Sequence, residues 1–127
     1  MRPTAIKLRT QSRLLEVTFD DGQHVALPFE YLRVYSPSAE VRGHGVGQET
    51  LQIGKQNVVI TKVESVGHYA VRLIFDDGHD SGLYTWSYLH ELGREHAAKW
   101  QRYLERLAEL GIAYPSVGHQ APAKSQQ

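Results

Sequence analysis

The chain has 127 residues and a mass of 14.4 kDa, and it is 41% hydrophobic and 22% charged, the composition of a globular protein with one modest core. Fourteen basic and fourteen acidic residues cancel, so no net field draws the protein to nucleic acid or to an anionic membrane. There is no cysteine, which excludes disulfides, thiolate metal ligands, cluster ligation by this chain and a cysteine nucleophile.

No apolar run approaches the ~20 residues of a membrane helix. The opening MRPTAIKLRT lacks the apolar stretch of a signal peptide, so the expected location is the cytoplasm. Arg2, Lys7, Arg9 and Arg13 stand without an acid and read as a solvated strand face. Ile6 and Leu8 alternate with Lys7 and Arg9, a short strand. Leu15, Val17 and Phe19 alternate with Glu16 and Thr18, a second. Asp21-Gly22 then reads as a two-residue hairpin turn, with a return strand from His24 to Leu27 that Pro28 ends. Phe29 to Tyr35 suits about two helical turns. Residues 36–57 are polar and glycine-rich and read as a long irregular connection, with Leu51 and Ile53 anchoring it or forming a short strand. Residues 58–66 suit a buried strand, Gly67-His68 a turn, and residues 69–75 a strand with Val71, Leu73 and Phe75 on one face. Asp77-Gly78 is a second hairpin turn, followed by a return strand over 81–84. From Thr85 or Ser87, a stripe of Leu89, Leu92, His96, Trp100, Leu104 and Leu107 predicts one long helix that Gly111 stops.

Two stretches share a plan. LEVTFDDGQHVALPFEYL (15–32) and VRLIFDDGHDSGLYTWSYL (71–89) both run strand, Phe-Asp-Asp-Gly, return strand, aromatics, helix start. The second carries one extra residue after its glycine. Most of the second copy is therefore hairpin architecture, and what sets it apart is His79-Asp80-Ser81-Gly82 and the aromatics Tyr84, Trp86 and Tyr88.

Chemistry concentrates at His79, with Asp76, Asp77 and Asp80 beside it. Imidazole and carboxylate are zinc and iron ligands. A cluster this tight in sequence cannot surround an ion alone and needs His44, Glu40 or His68 from elsewhere. Asp-Asp-Gly is also ordinary turn chemistry. His79 is a general-base candidate too, but no nucleophile elbow, H-E-x-x-H or diagnostic acid pair accompanies it. GHGVG (43–47) lacks the strand and helix that aim amides at a phosphate, and IGKQ (53–56) lacks the Ser or Thr of a P-loop. Trp86 reads as core, with Trp86 and Tyr88 also a candidate stacking face; Tyr84 is open between core and surface.

The stretches VGHYAVRLIFDDGHDSGLYTWSYLHEL and LPFEYLRVYSPSAEVRGH resemble a family of small domains of uncharacterised function, the one that also forms the N-terminal domain of gamma-butyrobetaine hydroxylases and related carnitine-pathway dioxygenases. The likeness runs over residues 6–110. In those hydroxylases the domain holds a structural zinc through three cysteines and one histidine. The iron and 2-oxoglutarate motifs lie in another domain, which a chain of this length is not expected to contain. By motif His79 falls on the zinc histidine, while the cysteine places fall near Ser36, Ser38 and Val41, none a thiolate. His44 is the candidate substitute ligand. Stand-alone bacterial-type members, and domains fused to iron–sulfur scaffold-type ATPases, imply an accessory or docking role.

The expectation is an α+β domain over residues 1–111, with small antiparallel or mixed sheets from two hairpin–helix units, a long C-terminal helix across the sheet, and a flexible tail over 112–127. The expected function is a non-catalytic cytoplasmic binding module, accessory to metal or iron–sulfur protein maturation. Its expected surface combines the 36–47 loop with the second hairpin, through Arg33, Arg42, His44, Asp80 and Tyr84. The expected partner is a protein, with an iron–sulfur carrier as candidate, and neither nucleic acid nor membrane. The alternative is a zinc- or iron-binding protein with His79 and His44 as ligands.

Overall fold

A computed structural model of the chain describes residues 1–43 and 50–114. Its contacts gather into two compact units, Met1–Arg94 and Glu95–Gln127. In the first, strands β1 (Pro3–Arg9), β2 (Leu14–Phe19) and β3 (His24–Pro28) form an antiparallel sheet in that order, and helix α1 (Phe29–Val34) leaves β3 directly. A single-turn helix α2 (Ala39–Arg42) follows. Strands β4 (Ile60–Val66), β5 (Ala70–Phe75) and β6 (Leu83–Thr85) form a second antiparallel sheet, and helix α3 (Trp86–Arg94) leaves β6. The fold is α+β, as expected, and both sheets are wholly antiparallel.

Alternation explains the strands. Leu15, Val17 and Phe19 of β2 are buried while Leu14, Glu16 and Thr18 stay partly exposed; Val71, Leu73 and Phe75 do the same in β5. Side chains alternate between the faces of a pleated strand, so apolar residues two apart make one core face. Each such side chain contributes roughly 1.5–3 kcal/mol on burial. The strand expected to be buried over 58–66 is instead an edge: β4 begins at Ile60, and Val63, Glu64 and Val66 are only half-buried. Leu51 and Ile53 form no strand; Leu51 is half-buried and Ile53 exposed.

The two hairpin turns differ from the two-residue reading. Phe19 N–H donates to the Gln23 carbonyl at 2.8 Å and Gly22 N–H to the Phe19 carbonyl at 3.0 Å, with Gly22 at φ 87°. The loop is therefore Asp20-Asp21-Gly22, a turn closed by a glycine in the left-handed region. Phe75, His79 and Gly78 repeat both bonds at 3.0 and 3.2 Å, with Gly78 at φ 90°. Each second aspartate fixes its turn by accepting the N–H two residues on: Asp21 from Gln23 at 2.9 Å, Asp77 from His79 at 3.1 Å.

After the turns the copies part. In the first, pairing runs on at once from Thr18 opposite His24. In the second, pairing resumes only at Arg72 opposite Leu83, because the extra residue shifts the register by one. Residues 80–82 therefore leave the ladder as an excursion, and His79 lies at its root.

The expected single long helix is two. Helix α3 ends at Arg94, Glu95 has φ −104° and ψ 19°, and helix α4 runs His96–Glu109. Two causes coincide at the break. Tyr31 Oη donates to the Leu92 carbonyl at 2.8 Å, the acceptor that a continuing helix would offer His96, and Gly93 is a poor helix former. In α4, Tyr103 and Leu107 are buried, and Trp100 lies 5.0 Å from the Tyr103 ring and edge-on to Tyr114 at 5.9 Å. Gly111, at φ 71°, follows the helix end as expected. The tail expected over 112–127 lies outside the described residues from 115 onward. No helix among the described residues is long and apolar enough to cross a membrane.

Candidate functional site

The helix of each hairpin–helix unit docks on the hairpin of the other through equivalent residues. Tyr31 donates to the Leu92 carbonyl, and its counterpart Tyr88 donates to the Tyr35 carbonyl at 2.7 Å. The turn carboxylate of Asp21 meets His90 Nε2 at 3.2 Å, and that of Asp77 accepts from Arg33 Nε at 2.9 Å; His90 and Arg33 correspond in the repeat. A third pair differs in a telling way. Val25 packs so closely on Gly93 that a Cβ there would lie 2.9 Å from the valine Cβ. At the equivalent place the sizes are exchanged: the strand residue is Gly82 and the helix-side residue is Ser36, whose Oγ lies 2.5 Å from where a Gly82 Cβ would be. An apolar plug in one unit is thus a polar gap in the other.

That gap holds a closed circuit of polar side chains. Ser36 Oγ lies 2.8 Å from His79 Nε2, and His79 Nδ1 lies 3.2 Å from Glu40 Oε1. Ser81 Oγ donates to the same Glu40 oxygen at 3.3 Å and lies 2.7 Å from Ser38 Oγ. Ser38 N–H donates to Ser36 Oγ at 3.2 Å, closing the ring, and Ser38 Oγ caps α2 by accepting Glu40 N–H at 3.2 Å. One proton arrangement satisfies every contact. A carboxylate only accepts, so His79 Nδ1 carries the hydrogen and Nε2 accepts from Ser36. Ser81 donates to Glu40, so it accepts from Ser38. Each hydroxyl then donates once and accepts once, Ser36 from the Ser38 N–H, Ser38 from the Glu40 N–H and Ser81 from the Ser38 hydroxyl.

Ser36 is 1% exposed and His79 is buried. Burial lowers the His79 pKa, and the nearby Arg33 guanidinium lowers it further, against Glu40 and Asp77, which raise it; the neutral imidazole is the favoured form. Beside it, burial pushes the Asp77 carboxyl up. The Lys55 ammonium at 2.8 Å, the His79 N–H and the Arg33 guanidinium outweigh that and hold it at about 2. Arg33 Nη1 is buried without a hydrogen-bond partner among the described residues.

The residues expected to form the surface divide. Arg42 and Asp80 are exposed, with the Arg42 guanidinium 5.0 Å from the centre of the Tyr88 ring. Arg33 is buried under Asp77, and Tyr84 is 0% exposed, its hydroxyl donating to the Leu32 carbonyl at 2.6 Å. Both belong to the packing beneath the site because β6 turns Tyr84 to the same core face as Val71. Burial also pushes the Tyr84 phenol up. His44 lies outside the described residues. Trp86, expected in the core, is half-buried and donates through Nε1 to the His68 carbonyl at 2.8 Å. Lys55 is not singled out by the sequence, and Ser81 and Gly82 stand out there only as part of what sets the second hairpin apart, with no role assigned to either. Aligning the repeat one step further would have exposed the Val25/Gly82 and Gly93/Ser36 exchange.

The described donors do not fit the zinc that the hydroxylase resemblance implies. Its cysteine places carry neutral hydroxyls and a valine, and both nitrogens of His79 are engaged. No group of three or more His, Asp or Glu among the described residues could hold a metal ion.

Comparison with known proteins gives a family. The family model described as "Gamma-butyrobetaine hydroxylase-like, N-terminal" matches residues 6–90. Three solved structures are similar over most of their length. One solution structure is 47% identical, with 91% of this chain and 94% of that one covered and a TM-score of 0.76. Another is 43% identical, with 99% and 93% covered and a TM-score of 0.78. A crystal structure from Acidithiobacillus ferrooxidans, described as a protein with unknown function of the DUF971 family, is 40% identical, with 72% and 92% covered and a TM-score of 0.62. No protein of curated function matches the chain.

Proposed function

The chain belongs to the gamma-butyrobetaine hydroxylase-like N-terminal family, and from that footing we propose that it is a non-catalytic binding module, accessory to metal or iron–sulfur protein maturation, which docks a protein partner over the polar ring. One observation carries the non-catalytic reading. Ser36, His79 and Glu40 stand in the order of nucleophile, base and orienting acid, yet Ser36 is sealed. It is 1% exposed, and the backbone of Gly82 presses on its hydroxyl so closely that even a methyl group would collide. A substrate carbonyl needs about 3 Å of clear approach to the attacking oxygen, and that space is filled.

The exposed residues next to ring members along the chain are of mixed character: Glu40, its side chain 72% exposed, with Arg42, Asp80 and Leu83, the last 41% exposed. An aliphatic side chain among charges of both signs suits a partner bound by a small apolar contact with a polar rim. The iron–sulfur connection is supported by the resemblance to domains fused to iron–sulfur scaffold-type ATPases.

The test is affinity purification of the tagged chain from its own cells after mild cross-linking, beside an Arg42→Glu/Asp80→Lys variant. An iron–sulfur protein should be captured by the native chain and lost with the variant, whose unchanged amide spectrum shows that it is folded. Equal capture by both chains, or capture of no iron–sulfur protein, overturns the reading.

A further inference from the structure

We infer that the ring of Ser36, Ser38, Glu40, His79 and Ser81 is a metal-free cross-link, in which hydrogen bonds tie the 36–42 segment to the second hairpin at the place where the hydroxylase resemblance implies a thiolate-held zinc. The fit is negative for the ion and positive for the bonds.

Distance is the first argument. Two ligands of a tetrahedral zinc, at about 2.3 Å for sulfur and about 2.0 Å for nitrogen, stand roughly 3.5 Å apart. Ser36 Oγ and His79 Nε2 are 2.8 Å apart, a direct hydrogen bond with no room for an ion between them. Proton direction is the second. The lone pair that a metal would take on Nε2 accepts the Ser36 hydroxyl, and Nδ1 spends its hydrogen on Glu40. The third argument is reach. Ser36–His79 and Ser38–Ser81 span 43 residues and Glu40–Ser81 spans 41, so the ring joins two distant segments as a metal cross-link does. The fourth is local to this unit: the other unit fills the corresponding place with Val25 against Gly93 and has neither a polar ring nor a register shift. The extra residue and the exchange of valine for glycine make the space that the ring occupies.

The experiment has two arms, both using the tag-free full chain and zinc chloride alone. In the native chain, ¹⁵N-detected spectra of the imidazole should show Nδ1 protonated and Nε2 as acceptor, unmoved by one equivalent of zinc, and the thermal midpoint should be the same in zinc and in chelator. One zinc per chain surviving desalting, with the His79 ring signals moved, overturns the inference. The second arm restores thiolates in Ser36→Cys/Ser38→Cys/Val41→Cys. This variant should take one zinc per chain by native mass spectrometry, bind it on the order of a thousandfold more tightly than the native chain, and lose it when His79→Ala is added. Folding only with zinc is an equally supportive outcome. A folded triple variant that takes no zinc overturns the inference, because the place is then not one a metal could hold. If the variant folds under neither condition, the native-chain arm decides.

Discussion

Replacing Gly82 with alanine should break the polar ring from outside without altering any of its members. Gly82 is not among the glycines with positive φ, so the cost is space and not backbone strain. The added Cβ would lie 2.5 Å from Ser36 Oγ, 3.2 Å from Tyr84 Cε1 and 3.3 Å from Pro37 Cδ. The first distance forces the hydroxyl to move, and the other two close the routes by which the new methyl could retreat. Overpacking by one methyl costs about 1–3 kcal/mol. A displaced hydroxyl also loses its bonds to His79 Nε2 and Ser38 N–H, about 1 kcal/mol each. A total of about 3–5 kcal/mol, at a urea slope of about 1.5 kcal/mol per molar, lowers the midpoint by about 2–3 M. Ser36→Ala removes the obstructing atom and costs about 1–3 kcal/mol by leaving Nε2 unsatisfied. The double variant should then cost less than the two singles together, by at least about 1 kcal/mol. The assay is urea unfolding of all four chains followed by tryptophan fluorescence. A Gly82→Ala midpoint within about 0.5 kcal/mol of native at unchanged slope, or additivity in the double variant, refutes the account of the ring.

The equivalent contact in the other unit behaves oppositely in chemistry but alike in sign. Gly93→Ala should destabilise by about 1–3 kcal/mol through its clash with Val25 despite a helix-propensity gain of up to about 1 kcal/mol, and Val25→Ala should restore part of the loss; the same urea titration reads both. Acid should weaken the fold through Asp77. Its folded pKa of about 2 lies below the ordinary 3.8, so its stabilisation is complete above pH 3.8 and is lost as pH falls through about 2. Discounted for its partial exposure that is about 1 kcal/mol, and Asp77→Asn should flatten this limb of the stability–pH curve.

The hairpins were legible because their causes are local. Period-2 alternation set the buried faces of β2 and β5, and Asp-Asp-Gly set both turns, since an aspartate reaching the N–H two residues on and a glycine at positive φ act within a few residues. The repeat and its one extra residue could also be read, and they pointed to His79. The turn length could not, because Asp-Gly serves two- and three-residue loops alike and the choice follows from which carbonyl Phe19 and Phe75 find. Nor could the break at Glu95, which depends on Tyr31 reaching a carbonyl 61 residues away. The same holds for Arg33 and Tyr84, assigned to the interaction surface by expectation and buried by the docking of each helix on the other unit's hairpin. The ring itself was a tertiary decision. Ser36, Ser38 and Glu40 are a loop and a helix cap until the second hairpin, more than 40 residues on, brings His79 and Ser81 against them. Bonds between near neighbours are written in the chain's order, whereas bonds across that distance exist only once burial of the two apolar faces has fixed where the segments meet.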